Sequence, residues 1–151
     1  MSAAVFHTTR RIEFADTDMA GIVHFANFFR FMEAAEVEFL RSRGLSVSMP
    51  WDGGRIGFPR VAASCDFVRP VTFQDVMDVA VSIVKIGRKS VTYGFEFSKD
   101  GEVVARGQVS SVCCRVQPDH RLESMDIQQL IGHDWKVATN LDCLALQSLI
   151  K

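Results

Sequence analysis

The sequence of 151 residues has little of what several classes of protein require. No apolar run approaches the roughly 18–20 residues that a membrane span needs. The 17 Lys and Arg are balanced by 18 Asp and Glu, so a net charge of −1 gives no support for a nucleic-acid partner. An apolar fraction of 48% is too high for a disordered chain. We therefore expect one soluble globular domain over 1–151, with a helical extension over 121–151.

Cysteine and histidine are too few and too scattered to indicate a metal site. The four histidines lack zinc spacing with each other or with the cysteines, which form no C-x-x-C pair. The cysteines are Cys65, Cys113, Cys114 and Cys143. Segment 1–11 lacks the apolar core of a signal peptide. We expect a cytoplasmic protein with reduced thiols, no metal and no cofactor.

One long segment has the period of a helix. Apolar residues recur at steps of three and four between Phe25 and Arg43, and Gly44 follows as a stop signal. The segment is apolar over much of its circumference, which predicts a largely buried helix. Shorter helices are predicted over 125–131 and 141–150.

Most of the remaining chain has the period of a β-strand. Strands are predicted over 5–14, 60–69, 76–86, 90–98 and 102–116, with a long loop over 45–59. Short turns between the last four strands predict antiparallel neighbours, and Asp100-Gly101 is a tight hairpin signal. The sequence therefore predicts an α+β domain, in which a curved five-stranded antiparallel sheet wraps around one helix.

The segment 11–44 carries a resemblance to a known family. It reads RIEFADTDMAGIVHFANFFRFMEAAEVEFLRSRG: a strand ending in Glu-Phe, then D-x-D-x-x-G-x-V, an aromatic residue and Asn, and the long helix. This resembles the signature of hotdog-fold acyl-CoA thioesterases of the 4-hydroxybenzoyl-CoA thioesterase type, in outline over 5–116. The resemblance implies a hydrolase that converts an acyl-CoA thioester to a carboxylic acid and CoA.

The resemblance assigns the catalytic carboxylate to Asp18, the second Asp of the pattern. A carboxylate can attack a thioester carbonyl or activate water, and a helix N-terminus offers unpaired N–H groups to the carbonyl oxygen. The resemblance implies that the backbone N–H of Phe25 is this donor. The alternative for Asp18 is a turn or helix-capping residue, and its role as nucleophile or general base stays open.

Neighbouring residues have roles with alternatives. Asp16 either approaches the same site or hydrogen-bonds the turn, and Gly21 favours a backbone turn that side chains would block. His24 caps the helix or contacts a second subunit, with catalysis or substrate contact as the alternative. Asn27 matches an Asn of the family and is expected to orient the loop that holds Asp18.

Two carboxylates of the predicted helix compete with Asp18. Other hotdog branches carry their catalytic carboxylate on the helix, which makes Glu33 and Glu36 candidates. Benzoyl-handling relatives have an Asp facing the acyl group where this chain has Glu33, so the resemblance makes Glu33 a candidate substrate contact. The alternative is an exposed side chain or an ion pair between subunits.

Three further residues form a basic turn, namely Arg88, Lys89 and Ser90. Flexible cations beside a groove suit the phosphates of CoA, and the family uses its corresponding turn in this way. The alternative is a solvated hairpin that is charged because turns are charged. Arg69 and Arg115 are weaker candidates for phosphate contact.

The resemblance also implies a homo-oligomer, a dimer or a tetramer, because the sites of the family lie between subunits. One predicted strand has an apolar face that suggests more surface than one helix covers, made of Val91, Tyr93, Phe95 and Phe97. A hotdog dehydratase is the first alternative function, although His24 lacks the Gly-Pro-rich segment that should follow its catalytic His. A non-catalytic acyl-CoA-binding module is the second, and it would tolerate loss of Asp18.

Overall fold

The computed structural model describes residues 6–131. Antiparallel strands make up two sheets, and one long helix lies against the larger sheet. The elements in chain order are β1 (Phe6–Arg11), a 3-10 turn (Phe14–Asp16), α1 (Asn27–Ser42), β2 (Ser48–Trp51), β3 (Gly54–Gly57), β4 (Arg60–Phe67), β5 (Val76–Ile86), β6 (Ser90–Lys99), β7 (Glu102–Val112), β8 (Cys114–Val116), β9 (Leu122–Ser124) and α2 (Gln128–Ile131).

The larger sheet has five strands in the order β1-β5-β6-β7-β4, all antiparallel to their neighbours. Its inner face packs against α1, as period-two alternation predicts. The apolar face of β6 is entirely buried within the single chain, with Tyr93 and Phe97 at 0% exposure. The expectation that one helix would leave part of this face uncovered is therefore wrong.

The position of β4 differs from the prediction. Consecutive strands were expected to be neighbours, but β4 lies at the far edge and pairs with β7, from Arg60 opposite Ser111 to Phe67 opposite Ala105. Residues 68–75 make the crossover, and the N–H of Val68 donates to Val104 O at 2.8 Å. Only the turns after β5 and after β6 are short enough to join neighbouring strands of this sheet.

The long loop predicted over 45–59 contains two strands, β2 and β3, which join β8 and β9 in a second sheet of four strands, so the predicted count of five strands is not exact. Its order is β2-β3-β8-β9. The β2–β3 hairpin turns at Asp52 and Gly53, whose φ angles are +46° and +73°, as a two-residue turn requires. The strand predicted over 102–116 is interrupted at Cys113, whose N–H donates to Lys89 O.

Helix α1 is buried on one side rather than all round. It begins two residues later than predicted and ends at Ser42, where Gly44 takes a φ of +72°. The buried apolar face is formed by Phe28, Phe31, Met32, Ala35, Phe39 and Leu40. Glu33 and Val37 are exposed, so no part of residues 6–131 covers the opposite face. Neither α1 nor α2 is long and apolar enough to cross a membrane.

The C-terminal part of the described chain is only partly helical. Where a helix was predicted over 125–131, α2 spans Gln128–Ile131, and strand β9 precedes it. The helix predicted over 141–150 and Cys143 lie outside the described residues.

Burial raises the pKa of the Cys65 and Cys113 thiols to about 11, which keeps them protonated and poorly reactive at neutral pH.

Candidate active site

The segment between β1 and α1 is held in place by backbone hydrogen bonds on two sides. Ile12, 1% exposed, donates its N–H to Asp75 O at 2.8 Å and anchors the start of the loop. Val23 donates to Val71 O at 2.8 Å and anchors its end. Thr17 and Val23 form an isolated β-bridge that closes the loop. The crossover between β4 and β5 thus supports the loop that carries Asp18.

Asp16 has the geometry of a turn residue. Its side chain is 6% exposed, and Oδ2 accepts the N–H of Glu13 at 2.8 Å. Its carbonyl oxygen accepts the N–H of His24 at 2.9 Å and Nδ2 of Asn27 at 2.8 Å. Asn27 therefore ties the first turn of α1 to the loop, and its role in orienting Asp18 stays a prediction.

Asp18 is half-buried and has one carboxylate oxygen open. Oδ1 accepts the N–H of Ala20 at 2.8 Å, while Oδ2 accepts no hydrogen bond from residues 6–131. The backbone turns back at Gly21, whose φ of +79° favours glycine and whose N–H donates to Asp18 O at 3.0 Å. The turn thus fixes the carboxylate through one oxygen and leaves the other available.

The turn that precedes α1 holds an unpaired backbone donor. His24 accepts at Nδ1 from the N–H of Ala26 at 3.2 Å, and its ring stacks on Phe25 at 4.8 Å between centroids. This contact stabilises the turn before α1, whose N-cap residue Ala26 makes no side-chain cap, and the role of His24 stays a prediction. In the described part of the chain the N–H of Phe25 donates to no other group. Helix dipoles place partial positive charge at this end of α1, so the donor suits a developing oxyanion.

The two helix carboxylates differ from Asp18 and from each other. Glu33 is exposed. Glu36 is 1% exposed, and its Oε2 lies 3.1 Å from Nη2 of Arg60 on β4. Burial raises the pKa of Glu36, and the nearby Arg60 opposes this effect. The sequence gives no sign of this ion pair, because it depends on where β4 lies in the sheet.

The basic turn lies at the opposite end of the sheet from Asp18. Strand β5 begins where β1 ends and runs for 11 residues to this turn, a length of roughly 30 Å. Arg88 is exposed, Ser90 is half-buried, and Nζ of Lys89 donates to Oγ of Ser124 at 3.2 Å. Within one chain, the basic turn and Asp18 do not share a site.

The weaker phosphate candidates have carboxylate neighbours. Arg69 lies 3.5 Å from Glu102, and Arg115 lies 3.5 Å from Asp52. A surface groove of about 700 Å³ borders Arg115 between the β2–β3 turn and the segment after β8. This groove also lies at the end of the sheet remote from Asp18, and Asp52 balances the charge of Arg115. Arg115 therefore adds no group to the site at the start of α1, and Arg69 is held by Glu102 and by Val103 O.

An aromatic corner formed by Phe25, Phe28 and Phe67 lies at the start of α1. The rings of Phe25 and Phe67 are 6.2 Å apart at 79°, and those of Phe28 and Phe67 are 5.4 Å apart. Phe28 is buried, but Phe25 is 61% and Phe67 48% exposed. Sequence reasoning missed Phe67, since nothing in the sequence brings the end of β4 to the helix.

An antiparallel sheet wrapped around one long helix is the architecture of hotdog-fold thioesterases. The chain belongs to the Thioesterase-like superfamily, whose family model matches residues 12–131. The resemblance to the 4-hydroxybenzoyl-CoA thioesterase type is thus confirmed, and the protein is a thioester hydrolase.

Curated relatives and solved structures agree with this membership. A 1,4-dihydroxy-2-naphthoyl-CoA hydrolase of Nostoc punctiforme is 32% identical over 108 residues, covering 72% of this chain and 73% of that protein. A 4-hydroxybenzoyl-CoA thioesterase of Pseudomonas sp. is 36% identical over 86 residues, covering 54% and 59%. A crystal structure of 4-hydroxybenzoyl-CoA thioesterase, mutated from aspartate to asparagine and complexed with 4-hydroxybenzoyl-CoA, matches with a TM-score of 0.69 at 25% identity, covering 81% and 91%.

Proposed function

We propose that the protein is an acyl-CoA thioesterase in which Asp18 acts at the thioester carbonyl carbon and the Phe25 N–H binds the carbonyl oxygen. The observation that carries this proposal is the pairing of two unused groups on one hydrogen-bonded turn. Oδ2 of Asp18 and the N–H of Phe25 are both unpaired within residues 6–131, and the turn between them is fixed by backbone hydrogen bonds. A nucleophile or base on one side and an oxyanion donor on the other are what thioester cleavage requires.

The chemistry has two routes that share these groups. In the first, the Asp18 carboxylate attacks the carbonyl carbon and expels the CoA thiolate, and water then cleaves the acyl–aspartyl anhydride. In the second, the carboxylate takes a proton from water, which attacks directly. Both routes place negative charge on the carbonyl oxygen, where the Phe25 N–H stabilises it. Both routes give a carboxylic acid and free CoA.

The rival carboxylates are less suited to this role. Like Asp18, each has one oxygen bound, but Asp16 and Glu36 are only 6% and 1% exposed, so a thioester reaches them less readily than it reaches half-buried Asp18. Nδ1 of His24 accepts the N–H of Ala26 within the turn, and no Gly-Pro-rich segment follows His24, which together disfavour the dehydratase alternative. The solved relative with its 4-hydroxybenzoyl-CoA ligand carries an aspartate-to-asparagine mutation, which supports a catalytic aspartate in this family.

The proposed substrate is an aromatic acyl-CoA. Relatives named as hydrolases of 1,4-dihydroxy-2-naphthoyl-CoA and 4-hydroxybenzoyl-CoA support this class. Initial rates of thiol release should therefore be measured over aromatic, short-chain and long-chain acyl-CoAs, with Asp18→Asn as the inactive control. We expect turnover that is fastest with an aromatic acyl group. Absence of turnover with every ester would contradict the proposed function, and a preference for long chains would contradict the substrate class.

The proposal includes a homo-oligomer. Strand β4 is an edge strand with seven of its eight residues exposed, and such an edge can pair with a second chain. Arg88 and Lys89 are roughly 30 Å from Asp18 within one chain, so they serve the site only across subunits. Sedimentation should give a dimer or tetramer at micromolar concentration, and a species of 16.9 kDa alone would contradict this part.

Recognition of CoA phosphates by the basic turn can be tested separately. Arg88→Ala combined with Lys89→Ala should raise KM for CoA esters and leave kcat unchanged, because such contacts bind ground state and transition state alike. Short N-acetylcysteamine esters lack the nucleotide and are the matched control. An equal rise in KM for both kinds of ester would assign the turn another role.

A further inference from the structure

We propose that Phe67, at the end of edge strand β4, is a specificity-determining residue that selects a flat aromatic acyl group over a saturated one of the same size. This inference rests on the proposed function and concerns the acyl end of the same site. The aromatic corner includes Phe25, whose backbone N–H is proposed to bind the thioester oxygen. The acyl group extends from the carbonyl carbon, so its first ring must lie close to Phe25.

The geometry of the aromatic corner favours a ring as its occupant. Phe25 and Phe67 stand at 79° to each other, and buried Phe28 closes the base of the corner. A flat ring that lies parallel to one wall meets the other wall edge-on. Offset-stacked and edge-on contacts are the two arrangements that aromatic pairs prefer, and the corner offers both at once.

The walls are held in position before any ligand arrives. His24 stacks on Phe25 at 4.8 Å and 24°, while its Nδ1 accepts the N–H of Ala26. Phe67 is held against Phe28, which itself packs on Phe97 at 5.3 Å. Both walls are nevertheless about half exposed, which leaves apolar surface for an acyl group to cover.

A second exposed aromatic pair serves as a matched control. Phe14 and Phe73 make an edge-to-face contact at 5.8 Å and 89°, and Phe73 is 49% exposed, close to the 48% of Phe67. No ring contact joins this pair to the aromatic corner among the described residues. It links the crossover to the loop that carries Asp18, so the control readout is the ratio for two esters and not kcat itself. Phe67→Leu and Phe73→Leu remove a ring from positions of similar exposure while keeping an apolar side chain.

The test compares benzoyl-CoA with cyclohexanecarbonyl-CoA, which differ in aromaticity but little in size. Phe67→Leu should lower the ratio of their kcat/KM values by roughly twofold to tenfold, the range for loss of one aromatic pair, and Phe73→Leu should leave the ratio unchanged. Binding gives a second readout that does not depend on turnover. Dissociation constants of both esters should be measured for Asp18→Asn and for the double variant Asp18→Asn with Phe67→Leu. The preference for benzoyl-CoA should fall by the same factor between these two variants.

Three results would overturn the inference. The first is an unchanged ratio of kcat/KM values in Phe67→Leu at the native melting temperature, and the second is an equal change of this ratio in Phe73→Leu. The third is a Phe67→Leu protein that no longer forms the oligomer but keeps the wild-type ratio. The last would mean that a second chain, and not the acyl group, covers Phe67. These results differ from a failure of the proposed function. If the wild type turns over no ester, the proposed function fails, but the effect of Phe67→Leu on the dissociation constants can still be measured.

Discussion

Asp18 and Glu36 are two carboxylates at the same helix, and their surroundings give them opposite properties. Asp18 stands on a turn before α1, with one oxygen bound to Ala20 N–H and the other open. Glu36 lies in the middle of α1, is 1% exposed and is paired with Arg60. Each carboxylate has one bound oxygen and one oxygen without a partner among residues 6–131, but the open oxygen of Glu36 is buried. The difference teaches that reactivity here follows from access, since the buried carboxylate is engaged in holding β4 to the helix.

The largest expected effect separates these two carboxylates by activity. Asp18→Asn should lower kcat by more than about 100-fold, because Asn keeps the size of Asp but cannot act as base or carboxylate nucleophile. KM should change little, since the lost interaction belongs to the transition state. Thiol-release kinetics with the best acyl-CoA measure both parameters, and circular dichroism checks the fold.

Glu36→Gln is the comparison variant and should change kcat by less than about tenfold. If Asp18→Asn keeps more than a tenth of the wild-type kcat while Glu36→Gln is inactive, the catalytic carboxylate is on the helix. The protein would then follow the mechanism of a different hotdog branch, although its fold would stand.

The second prediction sharpens the contrast by removing the unpaired donor beside Asp18. Phe25→Pro lacks the backbone N–H, and proline is tolerated before and at the first turn of a helix. Loss of one oxyanion donor lowers kcat by about 100-fold or more, so kcat should fall by that order. Phe25→Ala keeps the N–H and removes only the ring. Comparable kcat values for the Pro and Ala variants at equal melting temperature would rule out the N–H as the oxyanion donor.

The sequence predicts the surroundings of Asp18 far better than it predicts the surroundings of Glu36. The turn at Gly21, the Asn27 contact and the helix start depend on residues close together in the chain, so local patterns and the family signature reveal them. The Arg60–Glu36 pair and Phe67 depend on β4 crossing to the far edge of the sheet, and eight crossover residues carry no periodicity that would show it. The β2–β3 hairpin is a different case, since Asp52-Gly53 is a turn signal that the loop prediction overlooks.

The smallest expected effect is on stability and concerns the pH dependence of Glu36. Burial raises its pKa in the folded protein above the ordinary value of 4.5. Between the ordinary and the raised pKa, the folded state binds more protons than the unfolded state, so the free energy of unfolding falls as pH rises. Glu36→Gln cannot titrate. The stability of this variant relative to wild type should therefore increase with pH, by about 1.4 kcal/mol for each unit by which the pKa is raised.

Urea unfolding at about pH 5 and about pH 8 measures this difference. Glu33→Gln is the comparison variant on the same helix, one turn away. The charge of Glu33 also raises the pKa of Glu36, so removing it should give a smaller pH dependence in the same direction. Arg60 is 32% exposed and remains hydrated after the substitution, so the variant does not leave a fully buried charge behind. A stability difference for Glu36→Gln that shrinks as pH rises would mean that attraction to Arg60 outweighs burial. Glu36 would then be a stabilising carboxylate, whose ion pair with β4 strengthens as it ionises.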